Sequence, residues 1–460
     1  MDIFNLNDVD DVTCVEKASL LINKIFHPTN SSVFFSKHWE KTVLYCKHED
    51  PLFFKKLVTR KSLETTFSKQ VLFEDTNVTT GQEESDDEDS EKEPNEVSEQ
   101  EIWKKYKSGC SIRLLTPQMY HDAIWKVLSA LEFEFNSRVS AELVLAPQTT
   151  ENFGAVSYDN VNAIILQLEG YSRWRVMPNP HADCQLPLHS GCISLKDIDF
   201  WSKPTVDVTL SPGDSLYIPK GWVYQQDNNG STTSSSNTTG DGHSLHLKIC
   251  VNQGTTSTVA DLLEVVVPQA LAEAVQSRAE LRSALPRSYA KHLGIAHSET
   301  EGDAHRDRLQ QQLATLLRLV NEKAMDILDP AADQLVKQFI AGRLPVPLSA
   351  TEEAYTAAGT PLATIFPYTQ LRMLRPGIAT AVVEDGKLVV YHCMDNSRLV
   401  THSVSSNPLE FELDDGPAIE ALLAAYPEPV TVSDLEHPSE ELDDKLGVAQ
   451  ALYKEGFLLI

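Results

Sequence analysis

Two strand-turn-strand units about fifty residues apart constrain this chain more than any other feature. In the first, the apolar run Ala163-Ile164-Ile165-Leu166-Gln167-Leu168 follows the polar Ser157-Tyr158-Asp159 and turns at Glu169-Gly170 into Arg173-Trp174-Arg175-Val176. In the second, a Ser211-Pro212-Gly213-Asp214 turn leads into Leu216-Tyr217-Ile218, which stops at Pro219. Proline has no N–H to give a strand ladder, so it bounds the second strand.

This order of features resembles the JmjC oxygenases: a polar tripeptide, then Leu166-Gln167-Leu168-Glu169-Gly170, Trp174-Arg175-Val176, and Pro212-Gly213-Asp214 leading to Leu216-Tyr217, Pro219 and Gly221. Within that superfamily, Phe34-Phe35-Ser36-Lys37-His38-Trp39-Glu40-Lys41, Gly109 to Gln118 and Val390 to Arg398 are similar to the ribosomal oxygenases. The likeness covers nearly the whole chain apart from roughly residues 70–100. It implies an α+β multidomain protein. A JmjC double-stranded β-helix (jelly roll) with N-terminal helices is expected over 1–255, a helical dimerisation segment over 256–345, and a winged helix over 365–460. It also implies an iron(II)- and 2-oxoglutarate-dependent histidyl hydroxylase of ribosomal proteins, a type to which histone lysine demethylation is also attributed. A homodimer in the nucleus or nucleolus is expected on the same ground.

Carried over residue by residue, the resemblance places the family's two iron-binding histidines on Ser157 and Tyr224 and its iron-binding carboxylate on Asp159. The lysine that grips 2-oxoglutarate falls on Ser172, and an asparagine near the cosubstrate falls on Glu142. Of these positions only Asp159 is retained. Non-haem iron(II) is held by two imidazoles and a carboxylate on one face. A serine hydroxyl is a weak neutral donor, and a tyrosine must first lose a proton of pKa about 10. A buried dianionic cosubstrate needs a paired cation, which Ser172 cannot supply.

Three residues could compensate. Lys248 lies in His246-Leu247-Lys248-Ile249-Cys250, where a period of two puts 246, 248 and 250 on one face, and is a possible substitute for the cosubstrate lysine. Arg173 points away if Ser172 points inward, by the same period. His246 is a candidate substitute metal ligand, set against a hydrogen-bonded barrel histidine, and His243 is a second candidate at the end of a polar loop.

Composition narrows the partners. With 42% hydrophobic and 23% charged residues, no run of about 18 apolar residues and no signal-peptide pattern at Met1-Asp2-Ile3-Phe4, the chain reads as an intracellular, non-membrane protein. Its seven cysteines are scattered without a C-x-x-C pair, so neither a zinc site nor a disulfide framework is indicated. The net charge of −27 disfavours nucleic acid. Residues 365–460 carry sixteen acidic against six basic side chains, which gives the winged helix few phosphate contacts.

An acidic insertion at about 80–100, centred on Glu83 to Glu93, and a Ser/Thr/Asn/Gly loop at 227–242 read as disordered. The acidic run is a linker or a lure for basic partners such as ribosomal proteins or histone tails. Helices are expected over 10–26, from Thr116 through Leu131, between Val259 and Leu344 with Pro268, Pro286 and Pro330 as punctuation, over Pro417 to Ala425, and from Ser433. Whether the chain is an enzyme stays open at this point. It is either a catalytically degraded homologue, a pseudoenzyme serving as a dimeric protein-binding scaffold, or an active dioxygenase with recruited ligands.

Overall fold

The computed structural model describes residues 14–74, 78–80, 95–147, 155–180, 185–193, 204–227, 242–252, 258–298, 303–358, 363–399 and 407–460. The acidic run Glu83 to Glu93 and nearly all of the 227–242 loop lie outside the described residues.

In chain order the first part holds α1 (Cys14–Ile25), α2 (Ser31–Val33), β1 (Leu44–Cys46), α3 (Arg60–Lys69), β2 (Leu72–Phe73), β3 (Val78–Thr80), β4 (Glu96–Val97), α4 (Glu99–Lys107), β5 (Ile112–Leu115) and α5 (Asp122–Phe135). There follow β6 (Val139–Pro147), β7 (Ser157–Tyr158), β8 (Asn162–Glu169), β9 (Ser172–Met177), β10 (Gly191–Cys192), β11 (Val206–Leu210), β12 (Ser215–Ile218), β13 (Val223–Asp227) and β14 (His243–Val251). Among the described residues these strands form two large antiparallel sheets, ordered β1-β12-β8-β14-β6-β5-β3 and β10-β7-β13-β9-β11, and a separate β2-β4 pair.

Period two divides the long strands between two cores. Leu166, Leu168, Leu245, Leu247 and Ile249 face a core shared with α1 and α5. Ala163, Ile165, Trp174, Val176, Leu216, Ile218 and Tyr224 come from both sheets and pack between them. The two turns singled out in the sequence hold this sandwich. Gly170 has φ +65°, and a Cβ there would stand 1.8 Å from the His243 carbonyl oxygen. Asp214, buried at the Pro-Gly-Asp turn, accepts from the Tyr45 hydroxyl and from the amides of Ser211 and His48. The Phe34–Trp39 segment supplies an aromatic anchor. Phe34 stacks on Phe26 at 4.5 Å, and Trp39 stacks on Phe135 at 4.8 Å.

Beyond the sandwich lie α6 (Val259–Ser277), α7 (Ala304–Asp326), α8 (Leu328–Gly342) and α9 (Ala350–Tyr355). Val266, Ala270, Ala324, Ile327 and Ala331 close the packing among the first three. The C-terminal unit holds β15 (Gln370–Met373), β16 (Ala379–Glu384), β17 (Lys387–His392), β18 (Leu409–Phe411), α10 (Gly416–Ala424), β19 (Val430–Thr431), α11 (Leu442–Lys454) and β20 (Leu458–Leu459), with its own core. It docks on the sandwich through Arg398, whose guanidinium lies 3.6 Å from the Trp125 ring centroid and 2.6 Å from the Asp122 carboxylate.

Several expected boundaries shift. Pro268 sits inside α6 rather than ending a helix, where it gives up one backbone bond. The end of the expected 80–100 insertion is regular structure, with β4 at Glu96–Val97 and a capping box of Ser98 and Glu101 that starts α4. The helix expected from Ser433 begins only at Leu442, after a single 3-10 turn at Val432–Asp434. Likewise the helix expected from Thr116 is broken into a 3-10 turn at Pro117–Met119 and then α5.

Candidate functional site

The polar residues between the two sheets converge on Asp159. Its backbone is fixed in the loop between β7 and β8, where the Gly221 amide donates to its carbonyl at 2.8 Å. Tyr224 stands on β13 directly opposite Ser157 of β7, and its hydroxyl lies 3.2 and 3.1 Å from the two carboxylate oxygens of Asp159. Lys248 comes from β14, in register with Glu142 of β6. Its Nζ is 2.9 Å from Asp159 Oδ2 and donates to the Tyr224 oxygen at 3.3 Å.

The side chains of Lys248 and Asp159 are only 14% and 17% exposed. Burial pulls the Lys248 pKa down, but the neighbouring Tyr224 and Asp159 oxygens outweigh it and hold the amine well above the ordinary lysine value. The ammonium therefore neutralises the one carboxylate that the resemblance assigns to iron.

The other expected positions are committed elsewhere. Ser157 Oγ lies 3.5 Å from Cys192 Sγ on the paired strand β10. Ser172, fully buried, donates to Gln167 Oε1 at 2.6 Å and accepts from Trp174 Nε1 at 2.8 Å. Gln167 passes the chain on to the Glu169 carbonyl and the Ser244 hydroxyl. A neutral hydrogen-bond relay thus occupies the position of the cosubstrate lysine. Arg173 points outward, as period two required, and makes two 2.7 Å bonds to Asp207.

His243, weighed as a ligand at a loop end, is the first residue of strand β14 and sits 2.8 Å from Glu169 Oε2. Buried His246 stands edge-on to Trp174 at 5.6 Å. Burial, with Arg113 and Lys248 nearby, pushes its pKa down to about 3, so it is a neutral imidazole at pH 7. Its Nδ1 makes no hydrogen bond among the described residues.

Iron(II) and 2-oxoglutarate do not fit this set. A divalent ion at Asp159 would have to displace a cation of like sign, and it would find one serine, one tyrosine and at most one imidazole. Sequence reasoning turned Lys248 inward as a possible substitute for the cosubstrate lysine. The structure gives it to Asp159. Gln167 and Cys192, which take up Ser172 and Ser157, were not singled out. The in-register partner of a strand residue follows from sheet topology, not from periodicity.

Removing Lys248 strands a mostly buried carboxylate. Lys248→Met should therefore cost about 3 kcal/mol in urea unfolding, while Lys248→Met with Asp159→Asn should recover most of that loss. A neutral Lys248→Met would show that the pair has no structural weight.

Comparison with known proteins gives the family. Residues 113–244 match the JmjC domain family, and residues 350–460 match the family described as ribosomal oxygenase 1, C-terminal winged helix domain. Ribosomal oxygenase 1 of Rattus norvegicus is 31% identical over 460 residues, covering 96% of this chain and 72% of that protein. The bifunctional lysine-specific demethylase and histidyl-hydroxylase NO66 of Dictyostelium discoideum is 31% identical over 464 residues, covering 99% and 86%. The solved structure of Escherichia coli ribosomal oxygenase YcfD aligns over 94% of this chain and 98% of its own, at 15% identity and a TM-score of 0.42. With a JmjC domain, a winged helix of the matching type and this identity over nearly its whole length, the chain belongs to the JmjC-domain ribosomal oxygenase 1/NO66 family.

Proposed function

We propose that this chain is a catalytically degraded ribosomal oxygenase, a pseudoenzyme that works as a dimeric protein-binding scaffold. The observation that carries the reading is the Lys248 ammonium 2.9 Å from Asp159, where the family's iron ligand stands. Loss of one ligand can be rebuilt from a neighbour. Here both imidazole positions, the cosubstrate lysine position and the free charge of the carboxylate are taken up together.

The rival reading is an active iron(II)/2-oxoglutarate protein oxygenase, and the names of the relatives favour it. Anaerobic iron(II) titration separates the two. The scaffold reading expects no 2-oxoglutarate-enhanced iron binding, no visible charge-transfer absorption from a chelated cosubstrate, and no succinate formed with ribosomal-protein or histone peptides. A charge-transfer band that vanishes in Asp159→Ala would overturn it.

Partners follow from charge and exposed apolar surface. A net charge of −27 suits basic proteins, ribosomal proteins and histone tails among them, in the nucleus or nucleolus. On α6, Leu263, Val267 and Leu271 recur every four residues and are each about half exposed, as are Leu313 and Leu317 on α7. A second copy of the chain would cover these stripes. Light scattering on the parent should give twice the chain mass, and Leu263→Glu with Val267→Glu should give the single-chain mass. A monomeric parent would remove the dimer from the proposal.

A further inference from the structure

The C-terminal winged helix holds a second group of ligating side chains, far in sequence from the sandwich site. His392 ends β17, Asp395 lies in the turn after it, and Glu455 caps the end of α11. One ligand atom from each lies within 4.8 Å of the other two.

The His392 side chain is 2% exposed, yet neither ring nitrogen makes a hydrogen bond among the described residues. Its Nε2 faces the Glu455 carboxylate at 3.4 Å, and the Phe457 ring packs 5.5 Å away. A buried imidazole without a hydrogen bond is costly unless something else engages its lone pair. No lysine or arginine among the described residues ion-pairs with Asp395 or Glu455, so two carboxylates face this imidazole without a basic counter-charge.

The turn that carries Asp395 is held in place. The Cys393 amide donates to the Ile378 carbonyl, and the Asn396 side chain donates to the carbonyls of Ile340 and Arg343 on and just after α8.

We propose that His392, Asp395 and Glu455 form a binding site for a divalent first-row cation, Zn²⁺ foremost, that clips the end of β17 to the end of α11. One imidazole and two carboxylates are a common donor set for such an ion, with water completing the shell. Tetrahedral ligands at about 2.1 Å stand roughly 3.4 Å apart. The His392–Glu455 separation already matches that edge. Asp395 is exposed and closes the remaining gap of roughly an ångström by side-chain rotation. Cysteine spacing carries no signal for this site, whose ligands are one histidine and two carboxylates from separate elements. The proposal concerns the winged helix alone and stands or falls independently of the sandwich site.

The test is calorimetric titration of the full chain with Zn²⁺, together with Asp395→Asn and Glu455→Gln, whose circular dichroism reports that they fold. Both positions are solvent-accessible, so the variants should keep the fold. The parent should bind one equivalent more tightly than either variant by at least about tenfold, since even the loss of an outer-shell partner costs that much. Zn²⁺ should also shift the His392 ring resonances in the parent only. Equal binding by parent and variants, or none by the parent, would overturn the assignment.

Discussion

The ion pair between Lys248 and Asp159 is the constraint on which the site depends. A carboxylate between two packed sheets must be matched by a cation, because desolvation alone makes it costly. In an iron oxygenase the metal meets that need. In this chain the fold supplies its own cation from β14, and the Tyr224 hydroxyl lies against the remaining carboxylate oxygen. The Lys248 ammonium thereby balances the Asp159 charge from within the fold.

The same substitution of fixed protein groups for ligands recurs at Ser172. Its hydroxyl spends its hydrogen-bonding capacity on Gln167 and Trp174, so the cosubstrate position is rebuilt as a neutral, satisfied relay. Around these changes the architecture is intact. Gly170 still permits the close passage of the His243 carbonyl, and Asp214 still ties the Pro-Gly-Asp turn to the segment after β1. The scaffold and the chemistry have separate physical requirements, so the fold can be kept while the side chains at the site are replaced.

Much of the fold was legible in the sequence because its signals are local. The two turns, the alternation along 163–168 and 245–249, and the split of α6 to α8 from the C-terminal unit all follow from periodicity and turn residues. The inward direction of Lys248 and the outward direction of Arg173 were readable in the same way. What Lys248 touches was not, since Asp159, Tyr224 and Lys248 come from three separate elements and the Tyr224–Asp159 contact alone spans 65 residues. The His392, Asp395 and Glu455 group was hidden for the same reason, with Glu455 brought in only by the packing of α11. Boundaries were less legible: the capping box of Ser98 and Glu101 starts α4 inside the expected insertion, and the helix expected from Ser433 begins only at Leu442, after a 3-10 turn and without a side-chain cap.

The most direct measurement is a crystal structure of the chain grown with Mn²⁺ in place of iron(II) and with 2-oxoglutarate, with anomalous scattering used to locate the metal. The account predicts that Lys248 Nζ stays in contact with Asp159 and that no anomalous peak stands beside that carboxylate. A peak roughly 2.2 Å from an Asp159 oxygen, with Lys248 swung away, would contradict it.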